Sequence, residues 1–510
     1  MIATSGGVIS AASANEASSP IQHVVVIFQE NVSFDHYFGT YPKAANFAGE
    51  TQFTAAAGTP KSDNYLGHPD LLVDNPNGAN PQRLSPLVTN QLLTCDQNHD
   101  YGPEQQAFDG GKMDNFIATV GTGAGKDPTG VACKANQVMN YYDGNAVTAM
   151  WNYAQHFTLG DHSYAPTFGP STPGALNLVV GNTANVVKTA TPGTSSLTGE
   201  VEDNVVIGDP QPLGDACSTR DQVQLSGTNV GDLLNAKGLT WGFFQGGFSA
   251  TDSTGKLNCG ATHNIGTALG GTGKTGTAAW GTKVDYIPHH EPFQYFPQTA
   301  NLQHLPPSSP AMIGKTDQAN HQYDVSDFWT AANSGNLPAV SYLKAAGYQD
   351  GHAGYSDPID EQNFLVSTIN QLEKLPTWSH TLVVIAYDDS DGFYDHSYGG
   401  ITSPSAAPTD ALTGTGQCGA TSATDTQDRC GLGPRMPLLL ISPWVKANHV
   451  DHHTTTLSSI LRLVEDNFHL GHIGAGSFDQ ESPSLIGSSF NPAGNTPALF
   501  LDPMTGTVAS

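Results

Sequence analysis

His23-Val24-Val25-Val26-Ile27-Phe28 runs without a break into Gln29-Glu30-Asn31-Val32-Ser33-Phe34-Asp35-His36-Tyr37-Phe38-Gly39. A short run of β-branched and aromatic residues with no polar alternation predicts a strand buried on both faces, the kind found in mostly parallel sheets covered by helices. The change to carboxylate, amide and hydroxyl side chains then falls at the carboxyl end of that strand, where open α/β sheets bind ligands. Two further runs read the same way. Thr381-Leu382-Val383-Val384-Ile385-Ala386 ends in Tyr387-Asp388-Asp389-Ser390-Asp391-Gly392-Phe393-Tyr394-Asp395-His396, and Pro437-Leu438-Leu439-Leu440-Ile441 follows later. The expected fold class is α/β, with a mostly parallel central sheet and helices on both faces.

Helices are read from periodicity and caps. One is expected from about Asp357 to Lys374, with Pro358 in its first turn and Leu365, Ile369 and Leu372 on one stripe. Another begins near Thr455 and carries Leu457, Ile460, Leu461, Val464 and Phe468. A third holds Val230, Leu233 and Leu234 and stops at Gly238, a residue suited to a C-terminal cap. Between about 184 and 300 the chain is rich in Gly, Thr, Ser and Asn and weakly periodic, which predicts an inserted loop-rich lobe. Its GGTGKTGT stretch (270–277) lacks P-loop spacing and follows no buried strand. A second such stretch, about 401–433, reads as a surface loop stapled by Cys418 and Cys430, and there is no internal repeat. Residues 1–20 are expected to be a flexible N-terminus, and 21–510 a single domain.

Of 510 residues only 13% are charged, against about 25% in average soluble domains, and 19 Lys+Arg against 46 Asp+Glu leave −27. That balance argues against DNA, RNA and anionic bilayers as partners. No apolar run reaches the roughly 18 residues that span a membrane, so no stable membrane insertion is expected. Six cysteines (Cys95, Cys133, Cys217, Cys259, Cys418, Cys430), none in a CxxC pair, suit an oxidising compartment and so a secreted or periplasmic protein. They allow fifteen pairings. Consecutive pairing is expected because each bridge then closes a short loop.

Two acidic clusters at the ends of parallel strands can converge on one cation, because adjacent carboxylates without a basic neighbour repel each other. A solvated acidic turn is the plain alternative for either cluster alone. Phe168-Gly169-Pro170-Ser171-Thr172-Pro173-Gly174 places a hydroxyl at a helix start, where free backbone N–H groups and the helix dipole favour an alkoxide or a phosphoryl group. With Pro173 read as the first helical residue, Thr172 is the N-cap and Ser171 the free hydroxyl; simple capping by either is the competing reading. His99, the His289-His290 pair and His352 stand beside polar loops and are candidate donors to phosphate oxygens.

These segments carry a family resemblance. QENVSFDHYFG (29–39) resembles the opening signature of the bacterial phosphoesterase family, which unites secreted phospholipases C with acid phosphatases. GPSTPG (169–174) resembles its nucleophile segment, DGHAGYSDP (350–358) its histidine loop and AYDDSDGFYDH (386–396) its second metal-binding strand end. GLGPRMPLLLISPW (431–444) and TTLSSILRLVEDNF (455–468) resemble its C-terminal signature. The resemblance implies an alkaline-phosphatase-like fold, Glu30, Asn31, Asp388 and Asp389 as metal ligands joined by Ser171, and Ser171 as nucleophile. It also implies His99, His289, His290 and His352 as phosphate-contacting and catalytic groups. Val32 stands where arginine is usual. GPSTPG, against the phospholipase GPTxPN, lies closer to the acid phosphatase branch.

Oxygen ligands favour Ca²⁺, Mg²⁺ or Mn²⁺ over zinc. The expected function is a metal-dependent acid phosphatase acting on small phosphate monoesters through a phosphoseryl intermediate, with His352 as first candidate for the acid. Its four histidines would be needed protonated, which predicts an acidic optimum. A phospholipase C acting on phosphocholine lipids is one alternative, and a cation-stabilised binding protein without catalysis is another.

Overall fold

The computed structural model describes residues 17–193, 196–270, 280–423, 425–474, 476–485 and 487–509. The opening run forms β1 (His23–Gln29), and the central sheet continues with β2 (Thr158–Tyr164), β3 (Trp241–Gln245), β4 (Gln322–Asp324), β5 (Val340–Lys344), β6 (Thr381–Tyr387), β7 (Arg435–Ile441), β8 (His449–Asp451) and β9 (Thr455–Thr456). Their order is β4-β3-β5-β1-β6-β7-β2-β8, with β9 also paired to β2. Every residue of β6 and β7 is buried, and in β1 all but His23. Because side chains alternate between faces, both faces of the sheet are covered. The α/β class is therefore as expected. One strand departs from it: β7 runs antiparallel to both β6 and β2, while the other pairings are parallel. A continuous apolar run encodes burial but not direction, and β7 starts at the edge where β6 ends.

The main helices are α1 (Thr148–His156), α2 (Ser171–Val179), α3 (Val230–Lys237), α4 (Pro358–Leu372) and α5 (Leu457–Phe468). Asp357 caps α4 by accepting from Ile359 N and Asp360 N at 2.9 and 3.0 Å. α3 opens with an Asn229–Asp232 capping box and ends at Gly238, whose φ of 70° is one that glycine adopts at no steric cost. The expected stripes of α4 and α5 are buried. α5 packs on α2, where the Ser458 hydroxyl donates to Asn177 O at 3.0 Å, and α4 packs near α1, where Ala149 N donates to Gln362 Oε1 at 3.0 Å.

Residues 184–300 are more than an inserted lobe: they supply α3 and the sheet strand β3. The loop-rich remainder forms a small sheet (Val186–Ala190, Gln211–Pro212, Gln222–Leu225) and an antiparallel pair (Thr262–Asn264 with Thr282–Val284). Most of the GGTGKTGT stretch lies outside the described residues. So do residues 1–16, whereas Ser18 N donates to Asn467 O at 2.8 Å and ties the chain onto α5. The disulfides join consecutive cysteines, Cys95–Cys133, Cys217–Cys259 and Cys418–Cys430. Cys418 and Cys430 are fully buried beside Phe108 and Phe168, so the 401–433 loop is packed as well as stapled. No helix among the described residues is long and apolar enough to cross a membrane.

Candidate active site

β1 and β6 are in register from His23↔Thr381 to Gln29↔Tyr387. The pairing continues past the strands, with Asp388 N donating to Gln29 O at 3.2 Å and Val32 N to Asp389 O at 3.1 Å. Glu30, Asn31, Asp388 and Asp389 therefore emerge side by side, all at most 1% exposed. α2 enters this edge by its first residue. A Cβ on Gly174 would stand 2.3 Å from Asp388 O, so only glycine lets the helix approach so closely.

The Ser171 hydroxyl lies between two carboxylates, 3.0 Å from Glu30 Oε2 and 3.3 Å from Asp389 Oδ2. Ser171 is itself the first helical residue, not Pro173, and neither hydroxyl caps the helix. The cap comes from Asp209, whose Oδ1 accepts Thr172 N at 2.8 Å, while Thr172 Oγ1 donates to His289 O at 3.4 Å. Of the N–H groups expected to be free here, Asp209 takes that of Thr172 and proline has none, which leaves that of Ser171 itself.

Around this core the structure brings together the four predicted histidines. His290 Nδ1 is 3.2 Å from Glu30 Oε1, and His289 Nε2 is 4.0 Å from Asp209 Oδ2. His99 stands 3.4 Å from Asn31 Nδ2 and 3.3 Å from Asp391 Oδ1, with the His352 ring 5.8 Å from its own. Burial would lower the pKa of His99, but Asp389, Asp391, Asp96 and Asp209 outweigh it and hold the imidazole well above its ordinary value. Burial lowers His289 to about 3, His352 to about 4, and His290 well below the ordinary range. The picture of four protonated donors thus holds for His99 alone. Burial, joined by the neighbouring Asp388 charge, raises Glu30 well above the usual carboxylate range, and burial raises Asp389 likewise.

Sequence reasoning missed Lys344, the last residue of β5. Its ammonium contacts Glu30, lies 3.7 Å from Asp388 Oδ2 and 4.9 Å from the centre of the Phe28 ring. The only signal was a lysine closing the apolar run Val340-Ser341-Tyr342-Leu343. Asp209 was missed too, being an ordinary loop residue until the fold places it, whereas Asp391 lies in the acidic strand end already noted.

Three carboxyl groups share the Lys344 ammonium in this buried site, which is short of positive charge once they ionise. Asn31 Oδ1 and Asp388 Oδ2 are buried and accept no hydrogen bond from the described residues. A hard divalent cation satisfies both deficits, so Glu30, Asn31, Asp388, Asp389 and the Ser171 hydroxyl fit as the groups that would hold it.

A serine hydroxyl flanked by carboxylates and histidines at the carboxyl edge of an α/β sheet is an arrangement that can do nucleophilic ester chemistry. The Phosphoesterase family model matches residues 21–471, and the chain belongs to that family. It is 26% identical over 470 residues to a non-hemolytic phospholipase C of Burkholderia pseudomallei, covering 88% of this chain and 55% of the relative. With phospholipase C A of Mycobacterium tuberculosis it shares 24% identity over 464 residues, covering 88% of this chain and 73% of the relative. The chain spans about half the length of several of the curated relatives it matches. Among solved structures, a protein in the alkaline phosphatase superfamily from Vibrio parahaemolyticus aligns with a TM-score of 0.28 and 11% identity, over 66% of this chain and 64% of that one.

Proposed function

We propose that this protein is a divalent-metal-dependent phosphoric ester hydrolase that uses Ser171 as its nucleophile. The observation that carries this is the buried Ser171 hydroxyl held between Glu30 and Asp389 at the start of α2. When bound, the metal supplies positive charge that favours the serine alkoxide and the phosphoryl oxygens. Ser171 Oγ attacks phosphorus as the bond to the ester oxygen breaks, and its proton passes to Glu30 Oε2, the nearer of its two carboxyl neighbours at 3.0 Å. A histidine gives a proton to the leaving oxygen, with His352, the first candidate, and His99, whose ring lies 5.8 Å from it, both at hand. Water then attacks the phosphoserine and gives a proton to the now neutral histidine, the P–Oγ bond breaks, and the serine takes its proton back from the carboxyl group. Asn31 and His290 border the same space and orient the ester.

The curated relatives are phospholipases C, which supports a phosphodiesterase acting on phosphocholine esters over the acid phosphatase reading. The phosphomonoesterase remains the second reading on one specific observation, the serine of GPSTPG where the phospholipase pattern has threonine. Three disulfides support a secreted or periplasmic setting. The test is hydrolysis of p-nitrophenylphosphorylcholine against p-nitrophenyl phosphate, each with and without chelator. Turnover of the first favours the phosphodiesterase, and of the second alone the phosphatase. Ser171→Ala is expected to lose at least about 10³-fold in kcat, roughly 4 kcal/mol of barrier, while Thr172→Ala stays within a few-fold. Near-normal turnover in Ser171→Ala, or indifference to chelator, would overturn the mechanism.

A further inference from the structure

A second group of histidines and carboxylates gathers where the loop around residue 63, the turn after β6 and the end of β2 meet, and it shares no residue with the set around Ser171. Asp63 Oδ1 lies 3.1 Å from His68 Nε2 and 3.3 Å from His396 Nε2. One ligand atom from each of the three falls within 4.8 Å of the others. In a tetrahedral site with bonds of about 2.0–2.2 Å, neighbouring ligand atoms stand about 3.3 Å apart, so these atoms are already near coordination spacing.

His396 is oriented as metal-binding histidines are, by a carboxylate on its other nitrogen: Nδ1 lies 2.6 Å from Asp35 Oδ2. Asp35 is held in turn by Arg435 Nη2 at 3.3 Å. His162 repeats the pattern across Asp63, with Nδ1 2.8 Å from Asp161 Oδ1 and Nε2 3.4 Å from Asp63 Oδ2. Asp35, Asp63 and Asp395 face the Arg435 guanidinium while Asp161 faces His162 and His452, and these carboxylates raise His162 to about 9 and, against burial, His396 to about 10, so a bound cation takes the place of imidazolium protons. His68 and His396 also line a cavity of about 470 Å³ that gives solvent a way in.

We infer that Asp63, His68 and His396 form a second cation site, selective for a Zn²⁺-type transition ion, which clips the loop around residue 63 to the turn after β6. Imidazole donors separate it from the all-oxygen set at Ser171, which suits a harder ion. The hydrated ion exchanges three waters for the three side chains, and any protons on the imidazoles leave to solvent.

The full chain, stripped by chelator, is titrated with Zn²⁺ alone and with Co²⁺ alone, beside His68→Gln. The His68 side chain is 51% exposed, so its replacement leaves the core untouched. His453→Gln, at a 73% exposed side chain paired with Asp451, is the control. Wild type and His453→Gln are expected to retain one more Zn²⁺ per chain than His68→Gln after gel filtration. They should also show the intense visible absorption of four-coordinate Co²⁺ and a Zn²⁺-dependent rise in Tm, both lost in His68→Gln. Equal Zn²⁺ content and equal spectra in wild type and His68→Gln would overturn the site and leave these histidines as ion-pair partners. Co²⁺ absorption lost in Asp389→Asn but kept in His68→Gln would do the same, assigning the ion to the Ser171 site.

Discussion

Lys344 is a buried ammonium whose neighbours account for its charge. Burial would lower its pKa, but Glu30, Asp388 and Asp350 outweigh that and raise it, so it stays protonated. Removing one partner of a buried ion pair costs about 3–5 kcal/mol because the other is left uncompensated. Lys344→Met is therefore expected to destabilise the chelated protein by about that much. The metal-loaded protein should lose less, since the cation replaces part of the missing charge. Calorimetry of both forms checks this: the Tm gap between loaded and chelated protein should widen. Equal losses in the two forms would mean that Lys344 and the cation do not share the same carboxylates.

At the scale of elements, the approach of α2 to the end of β6 decides whether Ser171 meets Asp389. Helix propensity alone favours alanine over glycine by about 1 kcal/mol. Gly174→Ala is nonetheless expected to destabilise, by about 1–3 kcal/mol, because its Cβ would stand 2.3 Å from backbone that cannot yield as a side chain can. The helix must back away, separating the serine from its carboxylates. Turnover should fall more than ten-fold while the far-ultraviolet circular dichroism spectrum persists. A variant more stable than wild type, with unchanged kcat, would show that the contact is slack.

Across the whole molecule, buried acids set the slope of stability with pH. Burial raises Glu361 to about 8, Glu465 to about 9 and Glu373 to about 7, against about 4.3 for a free glutamate. The folded state keeps protons that the unfolded chain has released, so their stabilisation is complete below about pH 4.3 and is lost as pH rises through 7–9. Buried neutral histidines act on the acid side: His36, lowered to about 3, and His321, lowered to about 4, cost stability as pH falls below about 6.5. Between about pH 6.5 and 9 these histidines are neutral in both states, so the acids act unopposed by them. At fixed metal content, Tm should fall over that interval, and Glu361→Gln should flatten the fall. A Tm that is level or rising to pH 9 would contradict the burial of these carboxyls.

Local patterns alone marked three strands by unbroken apolar runs and helices by stripes and caps, while consecutive cysteine pairing stayed one of fifteen possibilities until the fold brought the pairs together. The four histidines were pointed to by the family resemblance, whereas Glu30, Asn31, Ser171, Asp388 and Asp389 stood out as candidates because strand ends and a Pro-flanked helix start mark the edge of an α/β sheet. These signals act between residues a few positions apart. The direction of β7, the role of Asp209 as the cap of α2 and the partners of the site carboxylates emerge only in the folded chain. Lys344 is 314 positions from Glu30, and His396 is 361 from Asp35. Such pairs are set by the order of strands in the sheet, and strand order depends on packing that no local pattern of side chains encodes.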